Sequence, residues 1–397
     1  MAGPRPQDLT VLGIAREVTK GTPVAPADFI PVTSLQGWRN IHVHNDTGWR
    51  GSMAEPYDSI LGPYSTEVDF AGNVHSDLIG YLLKAILGEE SVVGSSPAAG
   101  TALAAGSAIG AASISVSNNT GMTAAANVQV GTGTAAEVVT IATVTGAGPY
   151  TVTFVAGQTL QRAHLAAEAV VPVSSAFVHT IAEYNAVDGQ PQPYTLTDSY
   201  AIAARAYPYC LCSDLTLNYG ADALLTYTAK LMGRGEAPVA IPVPTFTTER
   251  AMAAWTTTAT LFGGAAVVLS GSLVFRQAVT PVFALGAQEA YMIWGGNSGV
   301  TGKLSLLMLD DSMITALEAG TQGALVLNSA TGAGAAQRQM QHSMSKVMLT
   351  NARVMRKAEA IGIDVDFTAM ANLTDIGASG GYGLVRSQLT NGRPGSY

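Results

Sequence analysis

Apolar and polar residues alternate along most of the chain, which is the pattern of strands that bury one face of a sheet. Helical spacing is confined to two short stretches: apolar residues recur every three or four positions in 76–87, before Gly88, and again in 312–319. The pattern predicts a mainly β protein with one or two short helices, the first of them capped by His75 or Ser76.

The N-terminal region departs from this alternation. Residues 13–31 contain two glycines and three prolines, and proline removes a backbone donor and pushes the preceding residue toward extended geometry. Alternation begins after Phe29. We therefore predict an extended arm over residues 1–28 that leads into the first strand.

The order of residues in this arm is distinctive. Gly-Ile-Ala-x-Glu-x-x-x-Gly-Thr-Pro-Val-Ala-Pro at 13–26, followed by Phe-Ile-Pro-Val at 29–32, resembles the N-terminus of the tail tube (major tail) proteins of long-tailed bacteriophages. The resemblance is specific over 13–32 and diffuse afterwards. It implies β-sandwich or barrel units of the tail-tube type that assemble into a tube.

Two regions are candidates for contacts between subunits because of this resemblance. They are the arm at 13–31 and a hairpin at 44–63, since a long hairpin of this kind bridges stacked rings in the tail tube family. The inter-subunit residues that we predict are Gly13, Arg16, Glu17, Lys20, Pro23, Pro26, Phe29, Trp49, Arg50, Tyr57 and Tyr64.

The composition changes abruptly at residue 91. No charged residue occurs between Glu90 and Glu137, and alanine, glycine, serine, threonine and valine dominate to about residue 173. Short alternating runs, such as Tyr-Thr-Val-Thr-Phe at 150–154, are separated by glycine-containing turns. A flexible linker lacks such runs, so we predict an inserted small β-domain at 92–175.

The parts of the chain on either side of this insert share an order of short segments. The segments recur at 34–40 and 272–277, at 78–82 and 313–317, and at 221–224 and 358–361. Both a duplication and chance explain such matches, because short apolar matches are common in β-rich chains. The predicted domains are a first tube unit at 1–91 and 176–240, the insert at 92–175, and a second, possibly duplicated unit at 241–397.

Charged residues are scarce. They make up 12% of the chain, compared with roughly 25% in typical soluble domains, while 48% of residues are hydrophobic. A single copy with this composition would expose large apolar patches on its surface. We therefore predict that other copies cover these patches in a homo-oligomer. We predict no membrane insertion, because the longest apolar candidate, 78–87, contains Lys84 and is shorter than the roughly 20 residues of a spanning helix.

The net charge of −8 does not favour a protein that grips nucleic acid through a basic surface. It is compatible with a channel that double-stranded DNA passes without specific binding. Cys210 and Cys212 are two residues apart, which is unfavourable for a relaxed disulfide, so we predict buried free thiols. Together with an N-terminus, 1–7, that lacks the apolar segment of a signal peptide, they predict synthesis in a reducing cytoplasm.

Residues that could carry chemistry are isolated. His42 and His44 could contribute to a zinc site, but no further ligands complete the set. The acidic pair 310–311 directly precedes a predicted helix and is interpreted as a cap, and the pair 89–90 as a solvated loop. We therefore predict no catalytic residue, no cofactor and no metal, and no enzymatic activity.

The predicted function is that of a structural virion protein. Rings of three chains with pseudo-sixfold symmetry, or of six chains, would stack into a tail tube and conduct the genome into the host, together with tape measure, tail tip and terminator proteins. Assembly would occur in the host cytoplasm. The alternatives are a secreted or surface β-rich adhesin that binds carbohydrate, and a capsid or baseplate component of the same virion.

Overall fold

The computed structural model describes residues 6, 9–51, 53–95, 99–186, 189–200, 202–356 and 361–397. In these parts of the chain, 23 strands and two α-helices form the regular structure, apart from short 3-10 turns. The predicted mainly β fold with one or two short helices is confirmed. None of the helices in the described ranges is long and apolar enough to cross a membrane.

The elements follow one another along the chain in three groups. Up to residue 95 they are β1 (Val11–Arg16), β2 (Asp28–Ile30), β3 (Ser34–Asp46), β4 (Asp58–Asn73), α1 (Ile79–Leu87) and β5 (Gly88–Ser95). Then come β6 (Thr101–Ala102), β7 (Ser113–Val116), β8 (Asn127–Val130), β9 (Glu137–Thr145), β10 (Tyr150–Phe154) and β11 (Ala169–Glu183). The third group is β12 (Tyr194–Ser199), β13 (Ala204–Gly220), β14 (Thr226–Gly233), β15 (Ala237–Val239), β16 (Thr257–Leu261), β17 (Gly264–Ala266), β18 (Val268–Val282), β19 (Met292–Leu307), α2 (Ser312–Glu318), β20 (Gln322–Thr331), β21 (Arg338–Arg356), β22 (Ile361–Ala369) and β23 (Arg386–Asn391).

Eight long antiparallel strands form a continuous row. Their order in space is β3, β4, β14, β13, β18, β19, β22 and β21. We call the first four strands the first set and the last four the second set. A hairpin opens each set, β3–β4 in the first and β18–β19 in the second.

The two faces of this row differ because side chains alternate along each strand. Leu215 and Leu217 of β13 and Leu273 and Phe275 of β18 are buried on one face, with at most 1% of their surface exposed. Each such side chain contributes about 1.5–3 kcal/mol by leaving water. The intervening residues, which are mostly polar, form the opposite face.

Helix α1 covers the apolar face. It begins at Ile79, three residues later than predicted, because residues 76–78 form a turn, and no side chain caps it. The predicted cap at His75 or Ser76 is therefore wrong. Gly88 ends the helix as expected, with φ 94°, a left-handed conformation that glycine adopts without steric cost. All nine residues of the helix are buried.

Residues 101–173 contain an apolar cluster of their own. Val116, Val128, Ile141 and Val152 are fully buried there, away from the cluster under α1. Strand β11 links the two regions: its N-terminal part pairs with β6 and β8, and its C-terminal part pairs with β5 and β23.

The C-terminal region is part of the fold. The glycine-rich sequence of residues 377–397 predicts that they fray or lie on a neighbour, and this prediction is wrong. Strand β23 pairs between β11 and β21, and the terminal Tyr397 is 1% exposed. The Tyr397 ring packs against Gly80 of α1, where any Cβ atom would clash with it. A glycine in a buried helix thus makes room for the end of the chain.

Candidate self-assembly surfaces

The N-terminal segment lies against its own chain. Strand β1 pairs with both β12 and β2, and Leu12 and Ile14 are fully buried. A Cβ atom on Gly13 would come within 2.7 Å of the Pro26 ring, so only glycine permits this approach. Phe29 is also buried and meets Phe246 edge to face at 6.3 Å.

Glu17 organises the turn that follows β1. Its carboxylate is fully buried and accepts hydrogen bonds from the backbone N–H of Tyr209 at 2.7 Å, the N–H of Gly21 at 2.6 Å and the hydroxyl of Thr195 at 2.8 Å. The buried Glu17 carboxylate therefore has its hydrogen-bond partners within its own chain. Among the predicted inter-subunit residues of this segment, Arg16 and Pro26 are half-buried and Lys20 and Pro23 are exposed.

The end of the β3–β4 hairpin carries an exposed apolar surface. Trp49 is 96% exposed, and Ile60 and Leu61 also lie open to solvent. Arg50 pairs with Asp46, and its guanidinium lies 4.8 Å from the centre of the Tyr57 ring. Contiguous exposed apolar side chains typically mark interaction surfaces.

Tyr64 lies at the base of this hairpin, against the other set. Its hydroxyl donates a hydrogen bond to Glu289 at 3.2 Å, and the Arg39 guanidinium lies 4.6 Å from its ring centre. Burial and the neighbouring Glu289 carboxylate raise the pKa of Tyr64. The inter-subunit role of the eleven predicted residues stays a prediction.

The polar face of the eight-strand row carries charges of both signs. Lys230 pairs with Glu67 at 2.5 Å, Arg276 with Asp214 at 3.1 Å and Lys303 with Asp366 at 3.5 Å. The hydrogen bond to Glu67 raises the pKa of Lys230, and burial raises the pKa of the nearby Asp69. Within the described residues, the charged side chains of this face include Glu67, Asp69, Asp214, Asp364 and Asp366 with Lys230, Arg276, Lys303 and Arg353.

Both ends of the row are unpaired. Strand β3 pairs with β4 alone, so among the described residues no strand lies along its other edge. At the opposite end, the segment of β21 from Asn351 to Arg356 pairs with β22 alone. Unpaired edges expose rows of backbone N–H and C=O groups that can pair with another strand.

A comparison with known protein families identifies this arrangement. The family model described as phage tail tube protein matches residues 8–369, nearly the whole chain. The chain belongs to the phage tail tube protein family. The resemblance read from the N-terminal segment is therefore confirmed, and membership implies a structural protein of the virion tail that assembles into a tube with other tail proteins. The comparison with curated proteins finds no match.

This tail tube protein contains a buried charge cluster that sequence reasoning missed. Glu89 and Glu90 were interpreted as a solvated loop, which is wrong: both lie in β5 and are less than 8% exposed. Lys84 of α1 approaches Glu90 to 2.7 Å, and His179 lies 2.8 Å from the other Glu90 oxygen. Lys84 also donates to the Tyr397 carbonyl at 2.8 Å.

The cluster is balanced electrostatically. Burial alone would raise the pKa of Glu90, but Lys84 and His179 together hold it well below its usual range. Glu89 pairs with Arg162 at 2.9 Å and accepts from the Ser379 backbone N–H at 3.0 Å. The available signal was Lys84 within the apolar stripe of α1, because a buried lysine requires a carboxylate partner.

The structure also shows where the other residues lie that the sequence offered as candidates for chemistry. His42 and His44 are exposed on β3, and within the described ranges no three residues of the metal-binding types form a group that could hold an ion. Asp310 accepts a hydrogen bond from the Ser312 N–H at 2.9 Å just before α2, whereas Asp311, at the N-cap position, makes no side-chain hydrogen bond to the helix. The free thiols of Cys210 and Cys212 are fully buried, and burial raises their pKa.

Proposed function

We propose that copies of this protein form rings that stack into the tube of a long phage tail, and that the lumen conducts double-stranded DNA into the host. The observation that carries this proposal is the eight-strand row with an open strand edge at each end, along β3 and along Asn351 to Arg356 of β21. A second copy can supply the missing neighbour at either edge, and closure into a barrel leaves no edge exposed.

Ring size follows from the number of strands that each copy contributes. Strands lie about 4.8 Å apart and tilt by about 40° in barrels, so 24 strands give a wall about 48 Å across. Sixteen strands would give about 32 Å and 48 strands about 96 Å by the same geometry. A wall about 48 Å across, which three chains of eight strands would form, leaves room for a DNA duplex without a large excess of space. This geometry favours three chains with pseudo-sixfold symmetry over six.

The polar face is proposed to line the lumen. The apolar core and α1 lie on the opposite face of the row. If that face pointed into the lumen instead, the apolar core would line the channel. The face carries both carboxylates and cations, and Lys230, Arg276 and Lys303 are already paired with carboxylates. A surface of this balance does not retain phosphates, so DNA would slide past without specific binding.

The other parts of the chain have proposed roles outside the wall. The exposed hairpin end around Trp49 and the exposed arm residues Lys20 and Pro23 are proposed to contact the next subunit or ring. Residues 92–175 are proposed to form an inserted domain, and 241–397 a second tube-like unit. Assembly is proposed to take place in the host cytoplasm with tape measure, tail tip and terminator proteins.

Electron microscopy of the purified chain, combined with the mass of the smallest closed ring, tests this proposal. We expect hollow tubes or rings, and a native mass of three chains per ring. Six chains per ring would overturn the proposed stoichiometry while leaving the tube intact. Dispersed monomers at high concentration, with or without purified partner tail proteins, would contradict the function itself.

A further inference from the structure

We infer that the junction between two copies in the ring reproduces the β13–β18 junction that already exists inside one chain. In this junction, β21 of one copy pairs with β3 of the next. The inference rests on the proposed tube function and adds to it the partner strands and their register. It commits to a second copy of this chain as the occupant of both open edges.

The two sets are equivalent in topology. In each, a hairpin is followed by a helix, and the helix packs on the strand that ends the set: α1 on β13 and α2 on β21. After this strand the chain turns back and forms one more strand, β14 in the first set and β22 in the second. That strand pairs with the second hairpin strand on one side and with β13 or β21 on the other. The first set ends on β13, which pairs with β18, whereas the second ends on β21, which has no such neighbour in the described residues.

Irregularities in strand pairing align the sets residue by residue. The pairing of β13 with β14 shifts between residues 212 and 214, and that of β21 with β22 shifts between 349 and 351. Likewise, the β3–β4 pairing shifts between 41 and 43, and the β18–β19 pairing between 277 and 279. Equivalent residues therefore differ by 137 in the closing strands and by 236 in the first hairpin strands.

Applied to the observed β13–β18 register, these offsets give the register that we infer between β21 of one copy and β3 of the next. Inside the chain, Asp214 pairs with Arg276, and Thr216 pairs with Val274. The equivalent pairs between two copies are Asn351 with Asn40, Ala352 with Arg39, Arg353 with Trp38, Val354 with Gly37, Met355 with Gln36 and Arg356 with Leu35. The charge-paired Asp214–Arg276 site is thus replaced by two asparagines, which can hydrogen-bond to each other.

The side chains at the open edges suit this pairing. Arg353 lies exposed on the polar face, and the inferred register places it opposite Trp38, where a guanidinium can lie over the indole ring. Val354, half-buried on the other face, would lie opposite Gly37, where the Tyr207 ring occupies the place that a Gly37 side chain would take. Neither edge brings two like charges directly opposite each other.

The exposed hairpin end fits the same junction. Inside the chain, the end of the β18–β19 hairpin packs on β13: Val279 lies against the cluster of Tyr209, Leu211 and Ile293. The residue equivalent to Val279 in the first hairpin is Val43, and it is 53% exposed. The corresponding surface for Val43 would lie on β21 of the next copy, so its exposure is what an incomplete junction predicts.

Disulfide cross-linking of assembled tubes tests the register. Directly opposed residues have Cβ atoms about 4.5–5.5 Å apart, and the two kinds of antiparallel pair alternate, so two neighbouring pairs are used. The variants are Asn351→Cys with Asn40→Cys, and Ala352→Cys with Arg39→Cys. We expect oxidation of at least one variant to convert most of the chain into covalent species that end at three chains on a non-reducing gel.

The matched control combines Asn351→Cys with Gln36→Cys, which shares the face but is displaced by four residues, about 13 Å along the strand. Single-cysteine variants control for Cys210 and Cys212. Tubes that assemble but cross-link only through the displaced pair, or through neither predicted pair, would overturn the inferred junction and leave the tube function standing. Failure of the unmodified chain to form rings or tubes would instead contradict the proposed function.

Discussion

The two sets of the eight-strand row have the same order of elements but different burial. All nine residues of α1 are buried, whereas none of α2 is, although both helices pack on the closing strand of their set. The hairpin of the second set packs on the first set, whereas that of the first set projects with Ile60 and Leu61 exposed. The first set is completed by the second and by the C-terminus, whereas among the described residues the segment from Asn351 to Arg356 of the second set pairs with β22 alone.

This difference indicates where the folding energy of the isolated chain lies. Helix α1, which packs on the first set, carries Lys84 of the buried Lys84–Glu90 pair, and all nine of its residues are buried. The second set buries Val365 and Phe367 in the same core, but its helix α2 has no buried residue, and Lys303 pairs with Asp366 at the surface. Changes in α1 should therefore destabilise the monomer more than equivalent changes in α2.

The largest expected effect is that of Glu90→Gln. Removing one partner leaves Lys84 charged or neutral without its carboxylate in a buried site, which costs about 3–5 kcal/mol of unfolding free energy. Urea unfolding of the unassembled chain measures it. The matched control is Asp366→Asn, in which the Lys303 partner is exposed, and its cost should stay below about 1 kcal/mol. Equal costs for the two variants would contradict the comparison.

A comparison of leucines in the two helices sharpens the contrast. Leu82→Ala in α1 should cost about 2–5 kcal/mol, because the side chain is 1% exposed and leaves a cavity. Leu317→Ala in α2 removes a half-buried side chain and should cost about 1 kcal/mol or less in the monomer. Chemical unfolding with both variants tests this, and a larger loss for Leu317→Ala would show that α2 is already well buried.

His342 gives the second set a dependence on pH. It is fully buried, and burial lowers its pKa from 6.5 to about 3. Between these values the unfolded chain binds more protons than the folded chain, so stability falls as the pH drops below about 6.5. The loss between pH 7 and pH 5 is about 2 kcal/mol.

Thermal unfolding at the two pH values checks this expectation. His342→Gln should remove that part of the pH dependence, whereas His44→Gln, at an exposed position of β3, should leave it unchanged. A wild-type slope retained by His342→Gln would mean that other groups cause the loss.

The smallest expected effect concerns residues 96–173, which interrupt the first set between α1 and β13. The second set has only β20 between α2 and β21. Ser95 pairs directly with Ser174, so an Asn-Gly turn can join β5 to β11 in place of these residues. Tubes should still form, as electron microscopy would show. Loss of assembly by a shortened chain that remains folded would reject a peripheral role for this region.

Local features of the chain were predictable from the sequence. The alternation of apolar and polar residues predicted the long strands, because each strand buries one face. The glycine at position 88 predicted the end of α1, and the structure shows it in the left-handed conformation. The free, buried thiols of Cys210 and Cys212 followed from their spacing in a strand. The segment 13–32 was specific enough to indicate the family that the comparison confirmed.

Tertiary structure decided the features that depend on distant residues. The burial of Glu89 and Glu90 could not be read locally, because their partners Arg162, His179 and Tyr397 lie far along the chain and an acidic pair alone predicts solvent. The same holds for the position of the C-terminus against Gly80. Alternation specifies which face of a strand is buried, but every residue type except proline carries the same backbone donor and acceptor, so only the folded arrangement shows which edges are left unpaired.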